Sequence, residues 1–579
     1  MLNNYKKDYL NSQQICEEFF MTLKELANLI FPDVTETLED LEKRYPKRNL
    51  PEGAEVTRFA PSPTGFLHTG SLFTSFISYK IAHQSGGVFF FRLEDTDTKR
   101  EIKGSEKDLI FQLKEFGINI DEGVTLDGEI GNYGPYSQSK REHLYRIAIK
   151  HLIENGRAYP CFCTKEELDE LRSKQTEEGV IPGYYGKYAV CRNLSVDEAA
   201  KRIQNGDPYI IRFKSNGNHE NKIKIHDEIR GDLELSENDQ DIVILKGDGL
   251  PTYHFAHAID DHFMRTTVVT RGEEWLSSLP IHLELFDALG FKRVKYAHLP
   301  VIMKLDENGN RRKLSKRKDN EAAVSYFLGD GYPTEAILTY LMSIANSNFE
   351  EYLINNKGAS YHDFNLTFEK MSLDGALFDI EKLKYFSKEY LGKLNKDQFF
   401  DLAYSYAKRY DEKLLKLIDI DHEYFKNIIN IEREKDNPRK DYYFLRELVN
   451  GICYMYPDNY NVMLKDPCFH FETRVQDREL IISFLEDLAQ NLDFVNNDEQ
   501  GWFNNLKEIA TRYNFATNNK EFKANPSAFS GNMADASGIV RVAIALRTNT
   551  PNLYAILNII GVDEYKRRIN MFVNYLKTL

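Results

Sequence analysis

A short segment of the 579-residue chain combines residue types that suit the binding of a phosphate group. It contains Pro61-Ser62-Pro63-Thr64-Gly65 and, shortly afterwards, His68-Thr69-Gly70-Ser71. Proline and glycine at this density cannot continue a strand or a helix interior, so the chain must turn here. The apolar spacing after the turn predicts a helix. His68, Gly70 and Ser71 then lie at its N-terminus, where free N–H groups bind phosphate.

Charged residues also stand where two predicted core strands end. Glu94 follows the apolar run Val88–Leu93, and Arg271 ends a second such run. In open α/β sheets the ligand binds beyond the carboxyl ends of the strands, so both side chains are expected in the crevice that His68 faces. Glu94 suits a cation such as a substrate ammonium group, and the planar fork of Arg271 suits a carboxylate.

Each of these charged groups has a structural alternative. The acidic residues after Glu94 can instead cap the next helix. Arg271 can form a buried salt bridge with Asp260 or Asp261, and its spacing alone favours that interpretation. The basic run Arg311–Lys318 stands in a chain of net charge −14, and a solvated loop is its simplest interpretation.

Three of the six cysteines, Cys161, Cys163 and Cys191, are candidate ligands for zinc. A fourth ligand is not evident, because Arg192 and Asn193 follow the last of them. We therefore expect reduced, buried cysteines and do not expect zinc or another bound metal. Six cysteines are also too few for a disulfide framework, which indicates a reducing compartment.

The elements predicted around the phosphate-binding segment form a βαβ unit. Val56–Phe59 is β-prone, a helix follows the turn, and Gly86-Gly87 ends that helix before Val88–Leu93. Mixed strands and helices begin near Ala158, and helical periodicity dominates after Asp319. The sequence therefore predicts an α/β fold, with a Rossmann-like parallel-sheet catalytic domain, an α+β insertion and an all-helical C-terminal region.

Composition excludes several classes of protein. Charged residues make up 28% of the chain, and no apolar run is long enough to span a bilayer, so we expect no contact with a membrane. No apolar secretion signal follows Met1. Together with the few cysteines, these features predict a cytoplasmic protein.

Four motifs occur in the order that is found in class I aminoacyl-tRNA synthetases. They are Pro61–Ser71, Arg92-Leu93-Glu94-Asp95-Thr96-Asp97, Gly249-Leu250-Pro251-Thr252-Tyr253-His254 and Lys313-Leu314-Ser315-Lys316-Arg317. His68–Ser71 looks like the first signature of the class, and Lys313–Arg317 looks like the second. From about Val56 to the C-terminus, the chain resembles the bacterial type of glutamyl-tRNA synthetase.

The resemblance implies an activity and its substrates. The chain would ligate L-glutamate to the 3′ end of tRNA(Glu), with ATP and Mg²⁺. The glutamate α-carboxylate attacks the α-phosphorus of ATP, and the resulting glutamyl-adenylate passes its acyl group to the tRNA, so that pyrophosphate and AMP are released. Positioning and electrostatic stabilisation dominate such a reaction, and no covalent nucleophile is required.

The resemblance also assigns site residues, all within or beside the four motifs. For catalysis it implies His68, Gly70, Lys313 and Lys316. For ATP binding it implies Pro61, His68, Gly70, Ser71, Lys313, Ser315, Lys316 and Arg317. For glutamate binding it implies Arg58, Ser62, Glu94, Tyr253 and Arg271.

Four positions depart from the family pattern. Thr69 and Ser71 replace a commoner hydrophobic residue and a second histidine. His257 stands where the family more often has asparagine. Asn193 stands where zinc-binding members place a ligand, and this departure further disfavours zinc.

Residues 1–53 fall outside the resemblance, and the helical spacing of Leu23, Leu26, Ala27 and Ile30 predicts an N-terminal helical extension there. The resemblance divides the rest of the chain into five segments. They are the first half of the Rossmann catalytic domain (54–157), an inserted domain that binds the tRNA acceptor stem (158–247), the second half of the catalytic domain (248–304), a stem-contact region with the Lys313–Arg317 loop (305–392) and a helical anticodon-binding region (393–579). A monomer is expected, and charging of tRNA(Gln) in addition to tRNA(Glu) is left open.

Three alternatives are close to this interpretation. Glutaminyl-tRNA synthetase shares the catalytic domain, but its motifs usually differ at the Ser62 and Glu94 positions and its C-terminal region is usually built from strands. A short glutamate-activating paralogue, which modifies a tRNA base, lacks so long a C-terminal region. A catalytically inactive RNA-binding relative would be expected to lose His68 or Lys316, and both are present.

Overall fold

The structure is a computed structural model, and it describes residues 21–97, 99, 102–315, 318–373 and 375–579. The predicted site residues Lys316 and Arg317 lie outside the described residues, as does the start of the predicted N-terminal extension. The chain forms two compact units. The first unit runs to Ser325 and includes Leu341–Phe378, and the second comprises Tyr326–Tyr340 and Asp379–Leu579.

The described part of the first unit begins with two short helices, α1 (Leu23–Ile30) and α2 (Leu38–Arg44). Each starts with a capping box, in which a threonine and an acidic residue three positions later satisfy each other's backbone N–H groups. The helical periodicity predicted over Leu23–Ile30 is therefore confirmed.

The predicted βαβ unit is also confirmed. β1 (Val56–Phe59) pairs in parallel with β2 (Val88–Phe91), and α3 (Thr69–Gln84) connects them. Gly87 precedes β2, where a Cβ would lie 1.9 Å from the carbonyl oxygen of Glu55, so only glycine fits. The sheet continues through α4 (Ser105–Glu115) to β3 (Glu122–Thr125), parallel to β2, and to the antiparallel β4 (Gly128–Ile130).

A region of mixed strands and helices follows α5 (Glu142–Glu154), as predicted. Its elements are β5 (Ala158–Cys161), α6 (Lys165–Glu177), α7 (Val196–Gln204), β6 (Ile210–Phe213), β7 (Lys222–Asp227), β8 (Gly231–Ser236) and β9 (Val243–Leu245). Strands β5, β6 and β9 form one antiparallel sheet, and β7 and β8 form a hairpin.

The chain then returns to parallel strands through α8 (Tyr253–Phe263), β10 (Val268–Gly272), α9 (Leu279–Ala288) and β11 (Lys295–Leu299). β10 pairs in parallel with β11. The N–H of Thr267 donates to the carbonyl of Val56 at 2.9 Å, which places β10 beside β1. The residues at the ends of these strands therefore come together, as their positions at the carboxyl ends of predicted strands indicate.

Part of the basic run is a strand, contrary to its interpretation as a solvated loop. After β12 (Ile302–Leu305) the chain turns and returns as the antiparallel β13 (Arg311–Lys313). The backbone bond from Asp306 N to Asn310 O closes that turn at 2.9 Å. The helices α10 (Val324–Asp330), α11 (Thr334–Ala345) and α12 (Phe349–Asn355) precede β14 (Ala376–Leu377), which pairs in parallel with β12.

The C-terminal part of the chain is helical, as predicted, apart from two short strands. Its elements are α13 (Ile380–Lys393), α14 (Lys396–Tyr410), α15 (Glu412–Ile420), α16 (His422–Ile429), α17 (Glu447–Ile452), α18 (Pro457–Leu464), α19 (Arg478–Asn491), α20 (Glu499–Arg512), β15 (Phe515–Ala516), α21 (Asn519–Ala524), β16 (Gly531–Asn532), α22 (Met533–Ala545) and α23 (Leu553–Thr578). Within the described residues, no helix has both the length and the apolar character that crossing a membrane requires.

Candidate active site

A cavity of about 1000 Å³ opens in the first unit where the parallel strands end. The predicted site residues in its lining are Arg58, Pro61, Ser62, His68, Gly70, Ser71, Glu94, Tyr253, Arg271 and Lys313. Ser315 is described but is not part of that lining. Residues that are far apart in sequence thus share one hollow.

The N-terminus of α3 forms the wall of the cavity that suits an anion. His68 is the N-cap residue, with extended backbone (φ −86°, ψ 152°), and Gly70 and Ser71 lie in the first turn. Thr69 is buried and its hydroxyl donates to the carbonyl of Glu321 at 2.6 Å, which holds the helix start. A Cβ on Gly70 would meet no atom within 4 Å, so the space beside its backbone is open. The first N–H groups of a helix are available to a phosphate in that space.

Arg271 lies on β10 with its guanidinium held by neutral partners. Its Nε donates to Nε2 of His298 at 3.0 Å, Nη1 contacts Nδ1 of His282 at 3.1 Å, and Nη2 donates to the carbonyl of Trp275 at 3.4 Å. The ring of Tyr296 lies 4.8 Å from the guanidinium carbon. The buried salt bridge to Asp260 or Asp261, which the spacing favoured, does not form among the described residues.

Burial keeps the histidines around Arg271 uncharged. It lowers the pKa of His298, although the carboxylate of Asp227 acts in the opposite direction. It lowers the pKa of His282 well below the usual range, and the positive charge of Arg271 adds to that effect. Two N–H groups of Arg271 have no partner among the described residues, because three of the five are used. They are available to a carboxylate.

Asp261 forms salt bridges with Arg58 and Arg92 and not with Arg271. One carboxylate oxygen accepts from Arg58 Nε at 3.2 Å and from Arg92 Nη1 at 2.8 Å, and all three side chains are buried. Burial opposes ionisation of Asp261, but Arg92 and Arg58 hold its pKa well below the usual range. Asp261 thus pairs with two arginines, and Arg92 is shared between Asp261 and Glu94.

Glu94 has its carboxylate in the cavity wall, where Oε1 accepts from Arg92 Nη2 at 3.0 Å. Burial raises the pKa of Glu94, against the attraction of Arg92 and Arg58. A ligand ammonium would favour the charged form of Glu94, since an opposite charge close to a carboxyl group lowers its pKa. The acidic residues after Glu94 do not occupy the N-cap position of the next helix, α4, because that position is Gly104.

Tyr253 begins α8 and lines the cavity, with its ring 4.5 Å from that of Trp275. Burial raises the pKa of the Tyr253 hydroxyl, so it stays protonated and can donate a hydrogen bond. His257, one turn later, is not part of the described cavity lining. It is fully buried, with Nδ1 2.7 Å from Asp261 Oδ2 and Nε2 3.0 Å from the hydroxyl of Tyr296. Burial lowers the pKa of His257 to about 3.

Lys313 ends β13 at the edge of the cavity. Its ammonium lies 3.2 Å from a carboxylate oxygen of Glu274 and is largely exposed. Asp319 holds the chain after it, by accepting from Arg312 at 2.6 Å and from the N–H of Ser315 at 2.8 Å. The hydrogen bond from Arg312 and the N–H of Ser315 keep the pKa of Asp319 below its usual range, although burial acts against them.

The three cysteines come together in the inserted region, with their sulfur atoms within 4.8 Å of one another. The hydroxyl of Tyr184 lies 3.4 Å from Cys161 Sγ and 3.3 Å from Cys163 Sγ. The cluster therefore has an oxygen atom near its sulfurs that the sequence did not indicate. A tyrosine hydroxyl is not one of the Cys, His or carboxylate ligands that zinc ordinarily takes, so a fourth ligand is still not evident among the described residues.

Three residues that hold Arg271 are not among those predicted from the sequence. Asp227, His282 and His298 are fully buried and form part of the hydrogen-bonded surroundings of its guanidinium. They belong to three separate elements, β7, α9 and β11. No local sequence pattern indicates them. The pairing of Arg271 with His298 across β10 and β11 becomes visible only once the two strands are aligned.

Comparison with known proteins identifies the class. Residues 55–385 match the family of tRNA synthetases class I (E and Q), catalytic domain. The match covers more than half of the chain, and the chain belongs to this family. The predicted membership of the class I aminoacyl-tRNA synthetases is therefore confirmed.

The relatives within this family specify one amino acid. Glutamate–tRNA ligase of Clostridium perfringens (strain 13 / Type A) is 47% identical over 551 residues, which cover 95% of this chain and all of the relative. Glutamate–tRNA ligase of Sorangium cellulosum is 38% identical, with 92% of this chain and 97% of the relative covered. A solved glutamate tRNA ligase from Elizabethkingia meningosepticum, in complex with its amino acid, matches with a TM-score of 0.69 at 27% identity and covers 90% of this chain and 99% of that one. The predicted resemblance to glutamyl-tRNA synthetases is confirmed.

Proposed function

We propose that this enzyme ligates L-glutamate to the 3′ end of tRNA(Glu) through a glutamyl-adenylate, with release of pyrophosphate and AMP. The observation that carries the proposal is one shared cavity. It holds a helix N-terminus that suits phosphate and a buried arginine whose two remaining donors suit a carboxylate.

The glutamate side-chain carboxylate binds the cationic wall. Arg271 offers two N–H groups, and Arg58, which Asp261 holds by its Nε, adds a second guanidinium. Tyr253 supports this end of the substrate with its hydroxyl. Glutamine is disfavoured, because its neutral amide would leave donors of a desolvated guanidinium unpaired.

The α-amino group of glutamate binds Glu94 and Ser62. A substrate ammonium beside Glu94 offsets the burial that raises the pKa of this carboxyl group. The α-carboxylate is then directed away from Arg271 and toward the helix N-terminus at His68, where the α-phosphorus of ATP lies. Different residues of the cavity wall thus bind different groups of the substrate.

ATP binds along the segment that begins α3. His68 and Ser71 contact the phosphates, the backbone at Gly70 lets the adenosine approach closely, and Pro61 borders the site. In the proposed reaction Lys313, Ser315, Lys316 and Arg317 bind the pyrophosphate. Lys313 would exchange its exposed contact with Glu274 for the phosphate.

The reaction requires positioning and charge stabilisation by His68, Gly70, Lys313 and Lys316. A carboxylate oxygen of glutamate bonds to the α-phosphorus as the bond from that phosphorus to pyrophosphate breaks. A terminal ribose hydroxyl of the tRNA then attacks the acyl carbon, and AMP leaves. Mg²⁺ is expected to enter with ATP, held by phosphate oxygens and water, and to neutralise part of the triphosphate charge.

The other segments select the tRNA. We propose that residues 158–247 contact the acceptor stem, that 305–392 contact the adjoining stem and that 393–579 read the anticodon, while 1–53 are an appended extension and 54–157 and 248–304 form the catalytic domain. The order of these segments in a chain that covers its relatives almost end to end supports this division. We further propose that the enzyme is a cytoplasmic monomer.

Zinc has no part in the proposed reaction. Cys161, Cys163 and Cys191 lie outside the described lining of the cavity, and we propose that they are reduced thiols. Their three sulfur atoms nevertheless lie close enough together to be tested for a metal. Metal analysis after dialysis against a chelator decides between the two states, since one retained zinc per chain would refute the proposal.

The test of the function is glutamate-dependent exchange between ATP and pyrophosphate, with and without added tRNA. Charging of purified glutamate and glutamine tRNAs follows, and glutamine in place of glutamate is the control. We expect exchange with glutamate and charging of tRNA(Glu), and charging of tRNA(Gln) as well would define a wider tRNA range. Exchange with glutamine alone would reassign the enzyme, and no exchange under any condition would reject the proposal.

A further inference from the structure

The hydrogen bonds that hold Arg271 continue away from the cavity to a buried carboxylate. Arg271 and His298 are partners in the parallel register of β10 and β11, so their side chains stand next to each other. On the far side of its ring, His298 Nδ1 lies 2.6 Å from Asp227 Oδ2. All three side chains are buried, and Asp227 belongs to β7 of the inserted region.

The chemistry of the three groups determines where the protons lie. Arginine has N–H donors only, so Nε2 of His298 accepts from Arg271 Nε and carries no proton. The proton of the neutral ring is then on Nδ1, which donates to Asp227. If the proton were on Nε2, two N–H groups would face each other at 3.0 Å.

We propose that Asp227 and His298 are positioning residues for glutamate binding. Asp227 selects the ring form of His298 that accepts from Arg271, and this bond turns the guanidinium so that its two remaining N–H groups meet the substrate carboxylate. The inference rests on the proposed function, because it assigns Arg271 to glutamate. Asp227, a residue of the inserted region, then affects how the amino-acid site binds its substrate.

The surroundings of Asp227 make its carboxylate difficult to replace. Oδ1 accepts from the backbone N–H groups of Ile229 at 3.0 Å and Arg230 at 2.9 Å, while Oδ2 accepts from the ring and the backbone N–H of His298. Both oxygens are acceptors. An asparagine would therefore turn an NH₂ group toward backbone donors or toward His298, and the second arrangement favours the wrong ring form.

The test is Asp227→Asn, and the same hairpin offers a matched control. His226 and Asp232 form a second histidine–carboxylate pair at 2.7 Å, but both are largely exposed. Asp232→Asn therefore changes the same chemical group without reaching the site. KM for glutamate, KM for ATP and kcat are measured by exchange at pH 7.5, with melting temperatures as the record of folding.

We expect Asp227→Asn to raise KM for glutamate about 10- to 100-fold, the usual effect of losing a hydrogen bond to a charged group, with KM for ATP within about twofold. Asp232→Asn should leave both constants unchanged. His298→Gln should raise KM for glutamate as well. The double variant should raise it no more than the larger single effect, because both act through one bond.

Three results would overturn the inference while the proposed function stands. They are a folded Asp227→Asn enzyme with unchanged KM for glutamate, an equal rise in both Michaelis constants, and additive effects in the double variant. If Asp227→Asn does not fold, His298→Gln alone decides, and an unchanged KM for glutamate refutes the proposal. A wild-type enzyme without exchange activity would instead refute the proposed function.

Discussion

Replacing Arg271 with alanine tests the centre of the glutamate site. The change removes the two N–H groups available to the substrate carboxylate. Hydrogen bonds to charged groups contribute ~1.5–3 kcal/mol each, so the direct loss is ~3–6 kcal/mol. Arg58 remains and continues to attract the carboxylate, which reduces the loss. We therefore expect KM for glutamate to rise at least ~100-fold, which corresponds to ~2.7 kcal/mol.

We expect the Arg271→Ala variant to fold. Alanine leaves His298 Nε2 and His282 Nδ1 without their donor, but both atoms then face the open cavity, where water can reach them. In the proposed site ATP binds at the other end of the cavity, near His68, so its KM should change by less than about twofold, since no contact there is lost.

The assay is ATP–pyrophosphate exchange, first with varied glutamate at saturating ATP and then with varied ATP at saturating glutamate. Arg293→Ala is the matched control, because Arg293 also pairs within the first unit, with Asp287, but is partly exposed and outside the described cavity lining. If Arg271→Ala raised both Michaelis constants equally, Arg271 would be a structural residue and the assignment of the glutamate site would be wrong.

Three further predictions concern backbone space and protonation. Gly70→Ala should fold normally, because its Cβ meets open space, yet raise KM for ATP at least about tenfold in exchange assays; an unchanged KM would place the adenosine elsewhere. Gly87→Ala should lower the melting temperature sharply, because its Cβ clashes with the carbonyl of Glu55, whereas Gly247→Ala has space and an ordinary backbone conformation; equal melting temperatures would refute the packing. The pKa of His257 is about 3 in the folded chain, against an ordinary value of 6.5. Its contribution to the free energy of unfolding is therefore complete above pH 6.5 and is lost as the pH falls toward 3, by up to ~1.4 kcal/mol per pH unit. Melting temperatures at pH 7.5 and pH 5.5 should therefore differ less for His257→Gln than for the wild type, and an equal difference would show that His257 does not resist protonation.

The elements of the catalytic core were predictable because their signals are local. Four residues from Val56 form a strand, the proline-rich turn precedes a helix, and His68 stands at its N-terminus. Turn residues and apolar periodicity act over a few positions, so they remain readable without knowledge of the fold. The positions of Glu94 and Arg271 near strand ends followed from the same reasoning.

The partners of the charged residues were not predictable in the same way. Spacing favoured a salt bridge between Arg271 and Asp260 or Asp261, yet Asp261 binds Arg58 and Arg92. The basic run was interpreted as a loop, but β12 gives Arg311–Lys313 a strand partner. These outcomes depend on which strands lie side by side, and spacing along the chain does not carry that information.

The sequence alone determined the family, the reaction that the family implies and the residue types at the cavity, because short motifs encode them. The tertiary structure decided how those residues are held. Arg271 depends on His298 and Asp227, which lie on other strands, and Tyr184 joins three cysteines. The physical reason is that a hydrogen bond requires two atoms within about 3 Å, and only the packing of distant elements brings such atoms together.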